Sequence, residues 1–148
     1  MKVLFLDIDG VLNSYQNPGG LYAMSRSKLR LLSFVIKTTG AEIVLSSTWR
    51  KRPDSYQRAK TKLGYRGLRI LDKTPDYLGI RTCRGDEIQF WLKEHPSVKT
   101  YAIVDDDGDM LLSQRPYFVQ TNGDVGLTMD DALKLILILI SPKEREVQ

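Results

Sequence analysis

Read as blocks of apolar and polar positions, the chain predicts strands and helices in alternation. Lys2–Ile8, "KVLFLDI", is apolar at nearly every position instead of every second one. That is the pattern of a strand buried on both faces, as in a parallel sheet. Asn13–Gly20, "NSYQNPGG", is dense in turn formers and predicts a loop. In Ser25–Thr39 the residues Leu29, Leu32, Val35 and Ile36 recur at helical spacing, and Gly40 supplies a stop. Ala41–Ser46, "AEIVLS", predicts a second strand, and Pro53–Leu63 a second helix ended by Gly64. Residues 65–82 carry no sustained period beyond a short strand around Leu68–Leu71. Arg84–His95 places Ile88, Trp91 and Leu92 on one helical face. Thr100–Val104, "TYAIV", predicts a strand that runs into "DDDGD", and Tyr117–Gln120 a further strand. Thr128 with Asp131 three residues later resembles a capping box that opens a last helix. The alternating Leu and Ile of that segment also suit a strand, but the capping signal and its position favour a helix.

Strands alternating with helices at this spacing imply an α/β fold: a three-layer α/β/α sandwich around a mostly parallel, Rossmann-like sheet. At 148 residues without an internal repeat, residues 1–148 are expected to form a single domain. Ligands in such folds bind beyond the carboxyl ends of the strands. Three predicted strands end in polar residues: Asp7 and Asp9, Ser46 to Thr48, and Asp105 to Asp107. If those strands are neighbours, their polar ends share one crevice.

Composition changes this picture only modestly. Charged residues make up 27% and apolar ones 42%, ordinary for a globular chain. A net charge of +4 leans towards an anionic partner, such as a nucleic acid or a phosphorylated small molecule, and is equally a basic solvated surface. A single cysteine, Cys83, excludes an internal disulfide and fits a reducing compartment. No cysteine-enzyme signature surrounds Cys83 or the one histidine, His95. Ala132–Ile140 is the most apolar segment, but its nine residues include a lysine and fall far short of the roughly 20 that a membrane span needs. Met1-Lys2 leads directly into a strand and not into a signal peptide. The expectation is a soluble, cytoplasmic protein.

The chemistry gathers in the acidic strand ends. Side chains two apart on an extended segment point the same way, so Asp7 and Asp9 can face one crevice together. Asp105 and Asp106 bring the carboxylates there to as many as four. Without a cation such a group repels itself and its pKa values rise. A hard divalent cation resolves the conflict, and Mg²⁺ fits best because it uses few carboxylates and leaves room for a phosphate oxygen. A calcium loop is excluded. Counted from Asp7, the positions that require Gly and Glu hold Leu12 and Pro18; counted from Asp105 they hold Met110 and Pro116. Gly10 suits a sharp strand exit where the backbone approaches a ligand. Ser46 can donate a hydroxyl to phosphate, and Ser47, Thr48 and Arg50 follow where a helix can begin, a natural anion site. Arg84 opens a helix just upstream of the second acidic strand end. There it can neutralise a phosphate or an attacking carboxylate.

These residues carry a resemblance. "DIDGVLN" resembles the first motif of the haloacid dehalogenase (HAD) superfamily phosphatases, and "IVLSS", with Ser46, the second. Arg84 stands where the third motif supplies a Lys or Arg, and "AIVDDD" resembles the acidic fourth. "SSTWR", "RGDEIQFWL", "IVDDDGDM" and "QTNGDVGLT" are similar to a small phage and bacterial subfamily, the HAD domain of Swiss-army-knife RNA-repair proteins. The resemblance spans nearly the whole chain and implies an Mg²⁺-dependent phosphatase. It assigns Asp7 as the nucleophile that becomes an aspartyl phosphate, and Asp9 as the acid and base. It gives Ser46 and Arg84 the transferring phosphoryl group. The metal falls to Asp7, the Asp9 backbone carbonyl, Asp105 and Asp106. Asp107 and Asp109 remain rival ligands, and Arg81 a rival to Arg84.

A substrate-selecting cap domain has no room in the chain. Only 27 residues lie between Asn13 and the strand at Ala41, and the 53 residues Ser47–Lys99 are mostly assigned to two helices. An open site suits a large substrate, and with the positive charge and the resemblance it points to a nucleic-acid end, RNA or DNA, such as a 3′-phosphate. Arg50, Lys51, Arg52, Arg58, Lys60 and Lys62 can track a phosphate backbone or form a solvated helix face. Trp49 can stack on a base, whereas Trp91 sits on the apolar face of its helix. Two other readings use the same residues: a metal-dependent nuclease without a covalent intermediate, and a non-catalytic phosphate- or nucleic-acid-binding module.

Overall fold

The computed structural model describes residues 1–16, 23–76, 79 and 82–141. Among them, five strands form one parallel sheet: β1 (Lys2–Leu6), β2 (Glu42–Leu45), β3 (Ile70–Lys73), β4 (Thr100–Asp105) and β5 (Phe118–Gln120). The spatial order is β3-β2-β1-β4-β5. The chain thus builds outward from β1 to one edge, then crosses back to place β4 beside β1. That reversal lies between β1 and β4, where open parallel sheets form their binding crevice.

Residue parity sorts the core into two layers. Leu4 and Leu6 of β1 pack with Ile43, Leu45, Ala102 and Val104 on one face. Three helices cover that face: α1 (Arg26–Thr39), α2 (Pro53–Gly64) and α4 (Met129–Ile140). Val3, Phe5, Val44, Tyr101 and Ile103 point the other way, onto Ile88, Trp91 and Leu92 of α3 (Arg84–Glu94). Burial on both sides explains the near-continuous apolar run of β1, whose residues Val3 to Leu6 are 0% exposed. The three-layer α/β expectation therefore holds, and no separate cap domain stands among the described residues.

Local signals set the element ends. Gly40 adopts a left-handed φ of 71° and closes α1 by donating its N–H to Ile36 O. Thr128 accepts from Asp131 N, and Asp131 accepts from Thr128 N, the reciprocal cap that opens α4 as a helix. Two expectations shift. The strand after α2 runs Ile70–Lys73 instead of Leu68–Leu71, and its register with β2 slips between Ile43 and Val44. The segment after Ser46 forms a short 3₁₀ turn, Thr48–Lys51, and no α-helix begins before Pro53. The predicted loop Asn13–Gly20 lies outside the described residues beyond Gln16, as does Arg81. No described helix is long and apolar enough to cross a membrane.

Candidate active site

The sheet's hydrogen-bond ladder continues one step past four strand ends; beyond β3 Thr74 N donates to Leu45 O at 3.0 Å, and the other three steps build the site. Asp7 N donates to Val104 O at 3.0 Å, Ser46 N to Leu6 O at 3.0 Å, and Thr121 N to Asp105 O at 3.0 Å. Leu6 pairs with Leu45 and Val104, so Asp7, Ser46 and Asp105 occupy the next register row. All three share the parity of Phe5, Val44 and Ile103, the face covered by α3. Arg84 is the first residue of α3. Its Nη1 donates to Asp105 Oδ2 at 2.6 Å and lies 3.0 Å from Asp7 Oδ1, bridging the two carboxylates.

This bridge is partly buried, which decides its electrostatics. Asp7 and Asp105 are 5% and 0% exposed. Burial, then the neighbouring Asp105, raises the Asp7 carboxyl well above the usual aspartate range, with Arg84 pulling against both. Asp105 is also raised by burial and restrained by Arg84. Burial alone would lower the Arg84 guanidinium, but Asp105 and Asp7 outweigh it and hold Arg84 firmly cationic. One arginine thus compensates two buried acids only in part.

Asp106 completes the acidic group. One oxygen each from Asp7, Asp105 and Asp106 can lie within 4.8 Å of the others. Three convergent carboxylates, two of them buried and incompletely neutralised, suit a hard divalent cation with oxygen ligands. Gly10 makes the arrangement possible: its φ is +78°, and a Cβ there would sit 2.5 Å from Asp106 Oδ2. Gly10 therefore shapes the floor beneath Asp106. The Asp9 carboxylate stands apart from that trio, half-buried, and Oδ1 accepts from Asn13 Nδ2 at 2.9 Å and from Trp49 Nε1 at 3.1 Å. Asn13 Oδ1 in turn accepts from Gly10 N at 2.8 Å, which locks the turn after β1.

The remaining expected residues divide. Ser46 is fully buried, and its Oγ has no hydrogen-bond partner among the described residues. An unpaired buried hydroxyl costs about 1–3 kcal/mol; Thr74 Oγ1, beyond β3, shares that state, and Ser46 is the one of the two that stands on the strand next to Asp7. Thr48 is exposed. Ser47 is buried, and its Oγ accepts from Trp49 N at 3.2 Å within the 3₁₀ turn. Arg50 departs most from expectation. Its five N–H donors reach Thr74 O, Ser46 O, Ser47 O, Pro75 O and the Glu87 carboxylate. At 2% exposure Arg50 ties the end of β2 to the end of β3 and to α3, and has no donor left for substrate. Trp49 is likewise buried at 7%, held against Asp9 and not presented for base stacking.

Three residues enter the site that sequence reasoning did not place there. Asn13 orients Asp9. Tyr15 donates its hydroxyl to Asp106 Oδ2 at 2.6 Å, and that bond raises the phenol so that it stays protonated. Thr121 Oγ1 donates to Gly10 O at 2.7 Å, joining the end of β5 to the turn after β1. Asp109, a rival metal ligand by sequence, accepts from the Arg84 backbone N–H at 3.1 Å and so fixes the start of α3. Asp107 is exposed, while its N–H donates to Asp105 Oδ1 at 3.0 Å. Cys83 caps α3, and burial raises its thiol, the opposite of an activated nucleophile.

A family model described as the HAD domain in Swiss Army Knife RNA repair proteins matches residues 3–132. The chain belongs to this family. The match covers every strand and carries the acidic trio, Ser46 and Arg84 within it. The HAD chain is accordingly a hydrolase of the HAD type, built with a carboxylate cluster able to hold a metal ion. No curated protein and no solved structure matches it.

Proposed function

We propose that this HAD domain is an Mg²⁺-dependent phosphohydrolase that cleaves phosphate monoesters through an aspartyl phosphate on Asp7, with a phosphorylated nucleic-acid end as substrate. The observation that carries the reading is the register row: a buried Asp7 flanked by the unpaired Ser46 hydroxyl and by Asp105, with Arg84 across the two acids. Asp7, Asp105, Asp106 and the Asp9 backbone carbonyl would hold the cation. When bound, it would neutralise the carboxylates and the phosphate oxygens.

In the first step an Asp7 carboxylate oxygen forms a bond to phosphorus as the ester P–O bond breaks, and Asp9 gives its proton to the leaving oxygen. In the second, Asp9 takes a proton from water, the water oxygen bonds to phosphorus, and the Asp7–phosphorus bond breaks to release phosphate. Ser46 Oγ donates to a phosphoryl oxygen and Arg84 balances its charge. Asn13 and Trp49 keep Asp9 aimed through the turn after β1. The RNA-repair context of the family and the absence of a cap among the described residues support a large, polymeric leaving group.

The test is turnover of p-nitrophenyl phosphate with Mg²⁺, by the wild type and by Asp7→Asn. Hydrolysis by the wild type and its loss in Asp7→Asn is expected. Hydrolysis that survives the substitution rules Asp7 out as nucleophile. Cleavage of oligonucleotides without phosphate release from any monoester replaces the reading with a nuclease.

A further inference from the structure

A cavity of about 410 Å³ opens beside Asp9, where the 3₁₀ turn after β2 meets the start of α2. Its lining is Asp9, Thr48, Trp49, Arg52, Asp54, Ser55 and Arg58. The volume falls in the range of roughly 300–1,000 Å³ found for small-molecule sites. The position matters more than the size. A leaving oxygen that takes a proton from Asp9 must come within about 2.6–3.2 Å of it. The rest of the leaving group then extends into the space that Asp9 itself lines.

The charges on that space are specific. Ser55 Oγ is engaged by Trp49 O at 2.7 Å, and Trp49 Nε1 by Asp9, so neither is a free donor. Arg52 and Arg58 are the cations of the lining, and Asp9 and Asp54 its acids. Arg52 Nε lies 3.4 Å from Asp54 Oδ1, with the two side chains 80% and 68% exposed. Such an exposed pair is worth little and yields readily to a phosphate that accepts from the guanidinium fork. Of the basic run Arg50 to Lys62, the fold buries Arg50, and Lys60 Nζ lies 4.5 Å from the centre of the Tyr56 ring. Arg52 and Arg58 are the two members of the run that line the cavity next to Asp9.

We infer that this cavity is the leaving-group subsite and that Arg52 and Arg58 bind a second phosphate carried by the leaving group. The preferred substrate is then a nucleotide bearing two phosphates: one is removed at Asp7, and the other is held against α2. A nucleic-acid end meets this requirement through its first internucleotide phosphate. The inference rests on the assignment of Asp9 as the acid.

The experiment compares kcat/KM for a nucleoside 3′,5′-bisphosphate, the matching 3′-monophosphate and p-nitrophenyl phosphate. The enzymes are the wild type, Arg52→Ala/Arg58→Ala, Arg52→Lys/Arg58→Lys and Lys37→Ala, a charge control exposed on α1. The wild type is expected to favour the bisphosphate over the 3′-monophosphate by about 10- to 100-fold, the worth of charge-assisted hydrogen bonds. The alanine pair should reduce that ratio to near one, mainly through KM. The lysine pair should recover part of it, and Lys37→Ala should leave the ratio as in the wild type. A wild-type ratio near one, or a ratio that survives the alanine pair, overturns the subsite while p-nitrophenyl phosphate turnover leaves the phosphohydrolase standing. Failure of the wild type to hydrolyse any of the three overturns both.

Discussion

A carboxyl group that is buried beside a second carboxyl resists ionisation, and Asp7 meets both conditions. Its raised pKa makes the fold favour the neutral form. The sign follows from linkage. The stability that Asp7 contributes is fully present below about 3.8, its ordinary value, and is lost as pH rises through the raised value. Asp105 acts in the same direction. Metal-free protein should therefore melt at progressively lower temperature as pH rises from about 4 towards 8, and Asp7→Asn should flatten that slope. Excess Mg²⁺ should reduce it in the wild type, because a bound cation favours the ionised carboxylates. Thermal melts across pH with and without Mg²⁺ measure this, and a slope unchanged by both Asp7→Asn and Mg²⁺ contradicts it. Asp9 has a different task and a different signature. Asp9→Asn should lower kcat/KM, which reports the first chemical step, by about 10²–10⁴ on an alkyl phosphate, whose leaving oxygen needs a proton. The loss should be smaller on p-nitrophenyl phosphate, whose leaving group departs as a stable anion. Equal losses of kcat/KM on both substrates would remove Asp9 from protonating the leaving oxygen.

Among the elements, the end of β2 shows why a residue's type can be legible while its role is not. Arg50 reads as one cation in a basic run, and nothing in the sequence marks it as the cation whose side chain is buried. The fold places five acceptors around it. Arg50→Lys keeps the charge but abandons the planar fork, leaving some of the carbonyls just past β2 and β3 without donors. A loss of about 1–3 kcal/mol for each buried acceptor left without a donor is expected, read as a lower urea midpoint. A midpoint within error of the wild type would return Arg50 to the surface. The strands that position the site were legible because two-sided burial writes an unbroken apolar run, as in β1 and β4. β3 is an edge strand, its Leu71 is 37% exposed, and the run Leu68 to Leu71 misplaced it by two residues. Asp7, Ser46, Arg84 and Asp105 were legible because each stands at an element end. Tyr15, Asn13 and Thr121 act from loops, where no period distinguishes a side chain aimed at the site from one aimed at water. Asp109 stayed open as a ligand because an acid that holds the start of α3 and an acid that binds metal look alike in "DDDGD".

At the scale of the whole molecule, strand order converts distant sequence into one site. The crossing from β3 back to β4 sets Asp105 beside Asp7, and the helix within that crossing, α3, brings Arg84 onto both. Among the described residues no cap closes over this crevice. The proposed function requires that Asp7, at the centre of the sheet, becomes covalently phosphorylated. The direct measurement is an acid quench during turnover of a phosphate monoester with Mg²⁺, followed by peptide mass analysis of the wild type, Asp9→Asn and Asp7→Asn. The account predicts one added phosphoryl group on the peptide that contains Asp7. It should accumulate in Asp9→Asn, where water activation fails, and be absent in Asp7→Asn. A phosphoryl group on any other residue, or steady turnover with none on Asp7 in both the wild type and Asp9→Asn, would contradict it.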